Sequence, residues 1–166
     1  MPLDGTRAAC RFEGVARKAI HDLKFRRVRG RAELLGEWLA EAVERRHLAI
    51  DLLVPIPLAP GRLRTRGFNQ SELIARWLGD RIDVAVLGSC LERVRETPPQ
   101  VGRSMEERRT NVKGAFACRE PSLVEGRRIG LVDDVMTTGA TMGSCAEALA
   151  ASGAARVFAL VVARGV

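Results

Sequence analysis

Apolar residues recur along this chain at two spacings, and each spacing marks its own kind of element. Val15, Ala19, Ile20 and Leu23 share one face of a 3.6-residue period, which predicts a short basic helix over 14–25. Leu35, Trp38, Leu39, Ala42 and Val43 do the same over 31–46, with Glu37, Glu41, Glu44 and Arg45 opposed. A dense cationic turn, Lys24-Phe25-Arg26-Arg27-Val28-Arg29-Gly30-Arg31, separates them. A third helix is expected from Asn69, a capping residue with Glu72 placed as in a capping box. Its inner face is Leu73, Ile74, Trp77 and Leu78, and Gly79 is expected to stop it. A fourth spans 141–151, with Met142, Cys145, Ala146 and Leu149 inward and Gly153 closing it.

Other stretches are apolar at nearly every position. Residues 52–57 read as a strand ended by Pro55 and Pro57, and 58–68 as a loop holding Arg62, Arg64 and Arg66. Residues 84–87 and 90–94 read as short strands, and 128–133 and 156–163 as strands buried on both faces. Strands alternating with helices predict an α/β fold: a doubly wound, mostly parallel sheet with flanking helices. Ligands of such sheets lie at the carboxyl ends of the strands, which points to the loops after Ile56 and Val132. Residues 95–113 have no apolar period and read as a lid or binding loop.

Composition narrows the classes. The 166 residues suit a single domain, with 1–50 as a small helical hood and 51–166 as the core. No apolar run is long enough to span a membrane, and Asp4 and Arg7 interrupt any signal-peptide core. A cytoplasmic location without membrane insertion is expected. The formal net charge of +7 suits phosphate-bearing partners, whether nucleic acid or a polyphosphorylated small molecule. Cys10, Cys90, Cys118 and Cys145 form no C-x-x-C pair, so free thiols are expected.

The chemistry concentrates in Val132-Asp133-Asp134-Val135-Met136-Thr137-Thr138-Gly139-Ala140-Thr141. A strand delivers two carboxylates, a turn of small and hydroxyl residues follows, and a helix starts at once. Backbone N–H groups, the Thr137, Thr138 and Thr141 hydroxyls and the helix N-terminus can all converge on one phosphate. Gly139 lets the backbone come close. The carboxylates would repel that phosphate, so they serve something else. Vicinal ribose hydroxyls fit Asp133 and Asp134, and an adjacent diphosphate would draw Mg2+ to the same pair, directly or through water. The chain has neither a P-loop signature nor a dinucleotide fingerprint.

These residues resemble the PRPP-binding motif of type I phosphoribosyltransferases. Val54-Pro55-Ile56-Pro57 with Arg64-Thr65-Arg66-Gly67-Phe68-Asn69-Gln70-Ser71 resembles the ComF-type competence family more narrowly. So do Thr97-Pro98-Pro99-Gln100, Arg103-Ser104 and Glu107-Arg108-Arg109-Thr110-Asn111-Val112. The resemblance implies a phosphoribosyl site at Asp133, Asp134, Val135, Met136, Thr137, Thr138, Gly139, Ala140 and Thr141, with Asp133 and Asp134 catalytic. It places Arg64, Arg66 and Gly67 beside the diphosphate, and Arg103, Arg108 and Arg109 on a flexible lid. It implies Mg2+ as cofactor and PRPP as ligand, and it admits a homodimer. Members commonly begin with a cysteine-rich zinc module, a pattern not seen in these residues.

Two functions fit this reading. One is transfer of ribose 5-phosphate from PRPP to a nitrogen nucleophile, with release of diphosphate. The other is a non-catalytic module that binds PRPP or single-stranded DNA in DNA uptake, alone or with competence-machinery proteins. The basic stretch from Arg17 to Arg31 would then track a phosphate backbone. Phe12, Phe25 and Phe68 are the candidate stacking residues for an acceptor base.

Overall fold

A computed structural model describes residues 3–95 and 114–165. The first half runs β1 (Gly5–Arg11), α1 (Gly14–Phe25), α2 (Arg31–Glu44), β2 (Leu52–Pro55), α3 (Pro60–Arg66) and α4 (Gln70–Ile82). Then follow β3 (Leu91–Arg93), β4 (Phe116–Cys118), α5 (Pro121–Val124), β5 (Arg128–Met136), α6 (Ala140–Ala151) and β6 (Arg156–Arg164). Four of these strands form one sheet in the order β1–β6–β5–β2, with every pairing parallel. The expected α/β architecture is the observed one.

Alternation along the central strands builds two cores, one on each face of the sheet. Val132, Phe158, Leu160 and Val162 pack under α1, α2 and α4. Ile129, Leu131, Val157, Ala159 and Val161 pack under α6 and the antiparallel β3–β4 pair. At the amino ends of β2 and β5, Asp51 grips Arg128 through both carboxylate oxygens, at 2.6 and 3.0 Å to the guanidinium. That clamp levels the two strands, so Pro55 pairs with Val132 and their carboxyl ends open side by side.

Several expectations need correction. β1 was not anticipated; its small and polar residues, Gly-Thr-Arg-Ala-Ala-Cys-Arg, give little strand signal, yet it pairs along β6 from Gly5 to Arg11. The stretch expected as a helical hood therefore supplies an edge strand as well as α1 and α2. Residues 58–68 are not all loop, because Pro60 sits in the first turn of α3 and Arg62, Arg64 and Arg66 ride on that helix. Residues 84–87 form only a bridge, Leu53 to Val86. Val15 is 72% exposed and Trp77 45% exposed, each at the margin of its helix's apolar face. Cys90, just before β3, and Cys118 of β4 meet at an Sγ–Sγ separation of 3.7 Å, and all four cysteines are free.

Helix α4 also runs past Gly79 to Ile82. The glycine is there for room: a Cβ built at Gly79 would lie 2.5 Å from the Val84 carbonyl oxygen and 2.9 Å from Val86 Cγ2. Among the described residues no helix is long and apolar enough to cross a membrane.

Two effects compete at Gly79. Alanine gains roughly 0.5–1 kcal/mol of helix propensity, while overpacking against rigid backbone costs about 1–3 kcal/mol. Gly79→Ala is therefore expected to lower the urea midpoint, and a rise in that midpoint would disprove the close approach.

Candidate functional site

The site is assembled at the carboxyl end of β5. This strand continues past the expected end at Asp133, since Val135 and Met136 still pair with Ala163 and Arg164 of β6. The turn proper is therefore Thr137-Thr138-Gly139, and α6 begins at Ala140. Gly139 has φ of 74°, in the left-handed region that favours glycine, and this swings the chain from strand into helix. The Ala140 N–H reaches Thr138 Oγ1 at a long 3.4 Å. Thr137 is exposed and Thr138 half-buried, so the mouth of α6 opens to solvent.

The two carboxylates differ sharply. Asp133 is half-buried, and its Oδ1 accepts from Ser71 Oγ at 2.8 Å and from the Asp134 N–H at 2.9 Å. Its Oδ2 takes no hydrogen bond among the described residues. Asp134 is only 2% exposed. Its Oδ1 accepts from the Val135 N–H at 2.7 Å, and its Oδ2 lies 2.5 Å from Lys24 Nζ. That last contact is coulombic rather than a well-angled hydrogen bond, for Oδ2 has no partner in hydrogen-bond geometry.

Each partner is delivered by the fold. The Ile56 N–H bonds the Val132 carbonyl at 2.9 Å, extending β2 to the level of the acids. Asn69 then donates through Nδ2 to the Ile56 carbonyl at 3.0 Å and accepts from the Ser71 N–H at 3.1 Å. One side chain thus caps α4 and sets Ser71 against Asp133. Lys24 comes from the last turn of α1, where the helix dipole also favours a cation.

Arg66, at the end of α3, donates to Gln70 Oε1 and stands 5.8 Å from the Phe25 ring centroid. Burial lowers its pKa, and the charge of Asp134 works against that fall. Arg64 is exposed, and no contact among the described residues links it to the acids. Gly67 caps α3 from the solvent side. Arg103, Arg108, Arg109 and the rest of the expected lid lie outside the described residues. Of the candidate stackers, Phe68 is buried, Phe12 half-buried and Phe25 66% exposed.

Lys24 and Ser71 were not singled out as site residues in the sequence. Lys24 is one cation in a run of them, and Ser71 is the last residue of the 64–71 stretch, with no role assigned to it. A divalent cation would find a sparse donor set. Among the described residues no three His, Cys, Asp or Glu side chains gather around a common point. Of the two acids, Asp133 has the oxygen without a partner among the described residues, which would suit Mg2+ held mostly by water and by a ligand's own phosphates.

No family model matches the chain. It is 38% identical over 147 residues to the DNA utilization protein YhgH of Escherichia coli K12, a match covering 83% of this chain and 62% of that one. Competence protein F of Haemophilus influenzae is 36% identical over 100 residues, 60% of this chain and 44% of the relative. Competence protein ComFC of Bacillus subtilis is 33% identical over 110 residues, 63% and 40% respectively. The matched stretch thus spans less than two thirds of each of these relatives. Among solved structures, glutamine phosphoribosylpyrophosphate amidotransferase from B. subtilis has a similar fold, at 20% identity and a TM-score of 0.52 over 77% of this chain and 25% of that one. The allosteric regulatory enzyme of purine biosynthesis is similar at 18% identity and 0.51, over 78% and 25%. At these identities the likeness is one of fold.

Burial first, and then the Asp134 carboxylate, push the Asp133 carboxyl up to about 7, against the pull of Lys24 and Ser71. An acid raised in the folded state binds more protons folded than unfolded, so stability falls as pH climbs through the gap between its two values. Wild type is expected to lose stability between the ordinary value of 3.8 and about 7, and Asp133→Asn to lose less. Denaturant midpoints at both ends of that window measure this, and parallel losses would refute it.

Proposed function

From a chain homologous to the ComF-type competence proteins and built on the type I phosphoribosyltransferase fold, we propose a protein that binds the phosphoribosyl group of PRPP at the end of β5. The observation that carries this reading is the solvent-open turn of Thr137 and Thr138 at the mouth of α6, directly after a half-buried Asp133. The 5′-phosphate rests in that turn, where backbone N–H groups and the helix N-terminus face it. Asp133 accepts from the ribose hydroxyls, and Asp134 stands behind it. Arg66 borders the diphosphate.

The chemistry proposed is transfer to a nitrogen nucleophile. Its lone pair forms the bond to C1 as the C1–O bond breaks, diphosphate leaves with the C1–O bonding pair, and the nitrogen gives up its proton to water. Mg2+, when bound, would neutralise charge on the diphosphate. The protein's own part is to hold phosphate and sugar and to place the Arg66 charge beside the leaving group.

A charged hydrogen bond is worth about 1.5–3 kcal/mol, so Asp133→Asn should weaken PRPP roughly 10- to 100-fold in calorimetry. Thr138→Val should weaken ribose 5-phosphate without unfolding the chain. Unchanged affinity in both variants would end the assignment. Release of diphosphate when PRPP meets amines or nucleobases would establish turnover.

A second reading, binding of single-stranded DNA, draws on one further observation. Phe25 stands 66% exposed at the end of the basic helix α1, with Arg66 near its ring. Arg27 is tied to the Thr65 carbonyl at 2.8 Å, which holds the cationic turn beside α3. Bases stack on such aromatic faces, and cations follow the backbone. The names of the relatives, DNA utilization and competence proteins, agree with a role in DNA uptake. Phe25→Ala is then expected to cut affinity for single-stranded DNA by about 1–3 kcal/mol. Wild-type affinity should also fall steeply with salt; a flat salt response would remove this reading.

A further inference from the structure

Two adjacent acids beside a diphosphate raise the question of which cation compensates them. The residue pattern alone hands that task to a metal at both carboxylates. The geometry divides it instead. Asp134 has one oxygen bonded to the Val135 N–H and the other facing the Lys24 ammonium, and almost no surface. A metal reaching Asp134 would have to evict Lys24 first. Arg66, the other cation nearby, is turned to Gln70 and the Phe25 ring. Among the described residues Lys24 is the ion partner of Asp134, while its own side chain keeps 22% exposure.

We propose that Lys24 is the resident cation of the phosphoribosyl site: it takes the compensating position at Asp134 that a divalent metal would otherwise fill, and leaves Asp133 as the acid open to the sugar. This rests on the phosphoribosyl reading above. Lys24 acts through Asp134 and is a positioning residue. It follows that a ligand without a diphosphate needs no metal here. Mg2+ would enter with the diphosphate, and among the described residues Asp133 is the acid left open to it.

The test uses ribose 5-phosphate, titrated calorimetrically in EDTA and in Mg2+ against wild type, Lys24→Met and the Lys24→Met/Asp134→Asn double variant. Wild type is expected to bind equally in both buffers. Lys24→Met should bind at least about tenfold more weakly in EDTA, the scale of one charged hydrogen bond, and recover in Mg2+ as the metal takes the vacated position. The double variant carries neither charge, so it should bind within a few-fold of wild type and ignore Mg2+. A merely structural lysine would produce neither the metal response nor the rescue.

Wild-type affinity in Lys24→Met without metal would overturn the proposal, as would a Lys24→Met that stays weak in Mg2+. Should Lys24→Met fail to fold, the double variant decides: metal-dependent or tenfold weaker binding by it overturns the proposal. Failure of wild type to bind ribose 5-phosphate in either buffer would instead bring down the phosphoribosyl reading, and this inference with it.

Discussion

Two consecutive carboxylates at the end of a buried strand must each find a partner, because an uncompensated charge removed from water costs several kcal/mol. This chain meets the requirement with two different helices. Helix α4 brings the Ser71 hydroxyl to Asp133, and α1 brings the Lys24 ammonium to Asp134. Both helices pack on the same face of the sheet through apolar contacts, which are non-directional and tolerate sliding. The polar contacts at the acids fix where along the strand each helix comes to rest. Breaking a buried ion pair from one side costs about 3–5 kcal/mol, a large part of the roughly 5–15 kcal/mol that holds a domain together. The acids thus organise the fold as well as the site.

The opposite end of the sheet shows the same division of labour. The Asp51–Arg128 clamp lies in water, and its strength is correspondingly small. Its value is directional. It levels β2 against β5, and only with that register does the Ile56 N–H meet the Val132 carbonyl. Ile56 in turn accepts from Asn69, and Asn69 holds the first turn of α4 so that Ser71 faces Asp133. A chain of short, specific contacts therefore runs from the amino end of the sheet to the carboxylates at its other end.

Much of this was legible in the residues, and the parts that were not share a cause. The strands β5 and β6 and the helices α1, α2, α4 and α6 declare themselves through local periodicity, and each was placed within a few residues. What depends on long-range pairing was misread. β1 has no apolar pattern of its own and is a strand because β6 offers it an edge. β5 runs on to Met136 for the same reason, through Ala163 and Arg164. Helix α3 lacks an apolar face altogether, having no buried residue. At the site, the motif from Asp133 to Thr141 was visible as chemistry, but the inequality of its two acids was not. That inequality depends on Lys24, which lies over a hundred residues away and is indistinguishable in sequence from the arginines that follow it.

Burial is what separates those cations. The net charge of +7 invites a single explanation, a basic surface for an anionic partner. Yet Arg17, Lys18 and Arg64 are exposed, and such charges, already solvated by water, stabilise little wherever they stand. Lys24 and Arg66 are withdrawn from water at the same edge of the sheet. Lys24 has Asp134 to offset its desolvation. For Arg66, burial lowers the pKa, and among the described residues its contacts are an amide oxygen and an aromatic face, with no carboxylate in ion-pair distance. Lys24 and Arg66 match the two acids in number, but only Lys24 is paired with one of them, and Arg66 is held partly dry with no anion in contact among the described residues. On the proposed reading, the diphosphate of the ligand is the anion that Arg66 contacts, and its arrival offsets the desolvation that the guanidinium bears in the empty site.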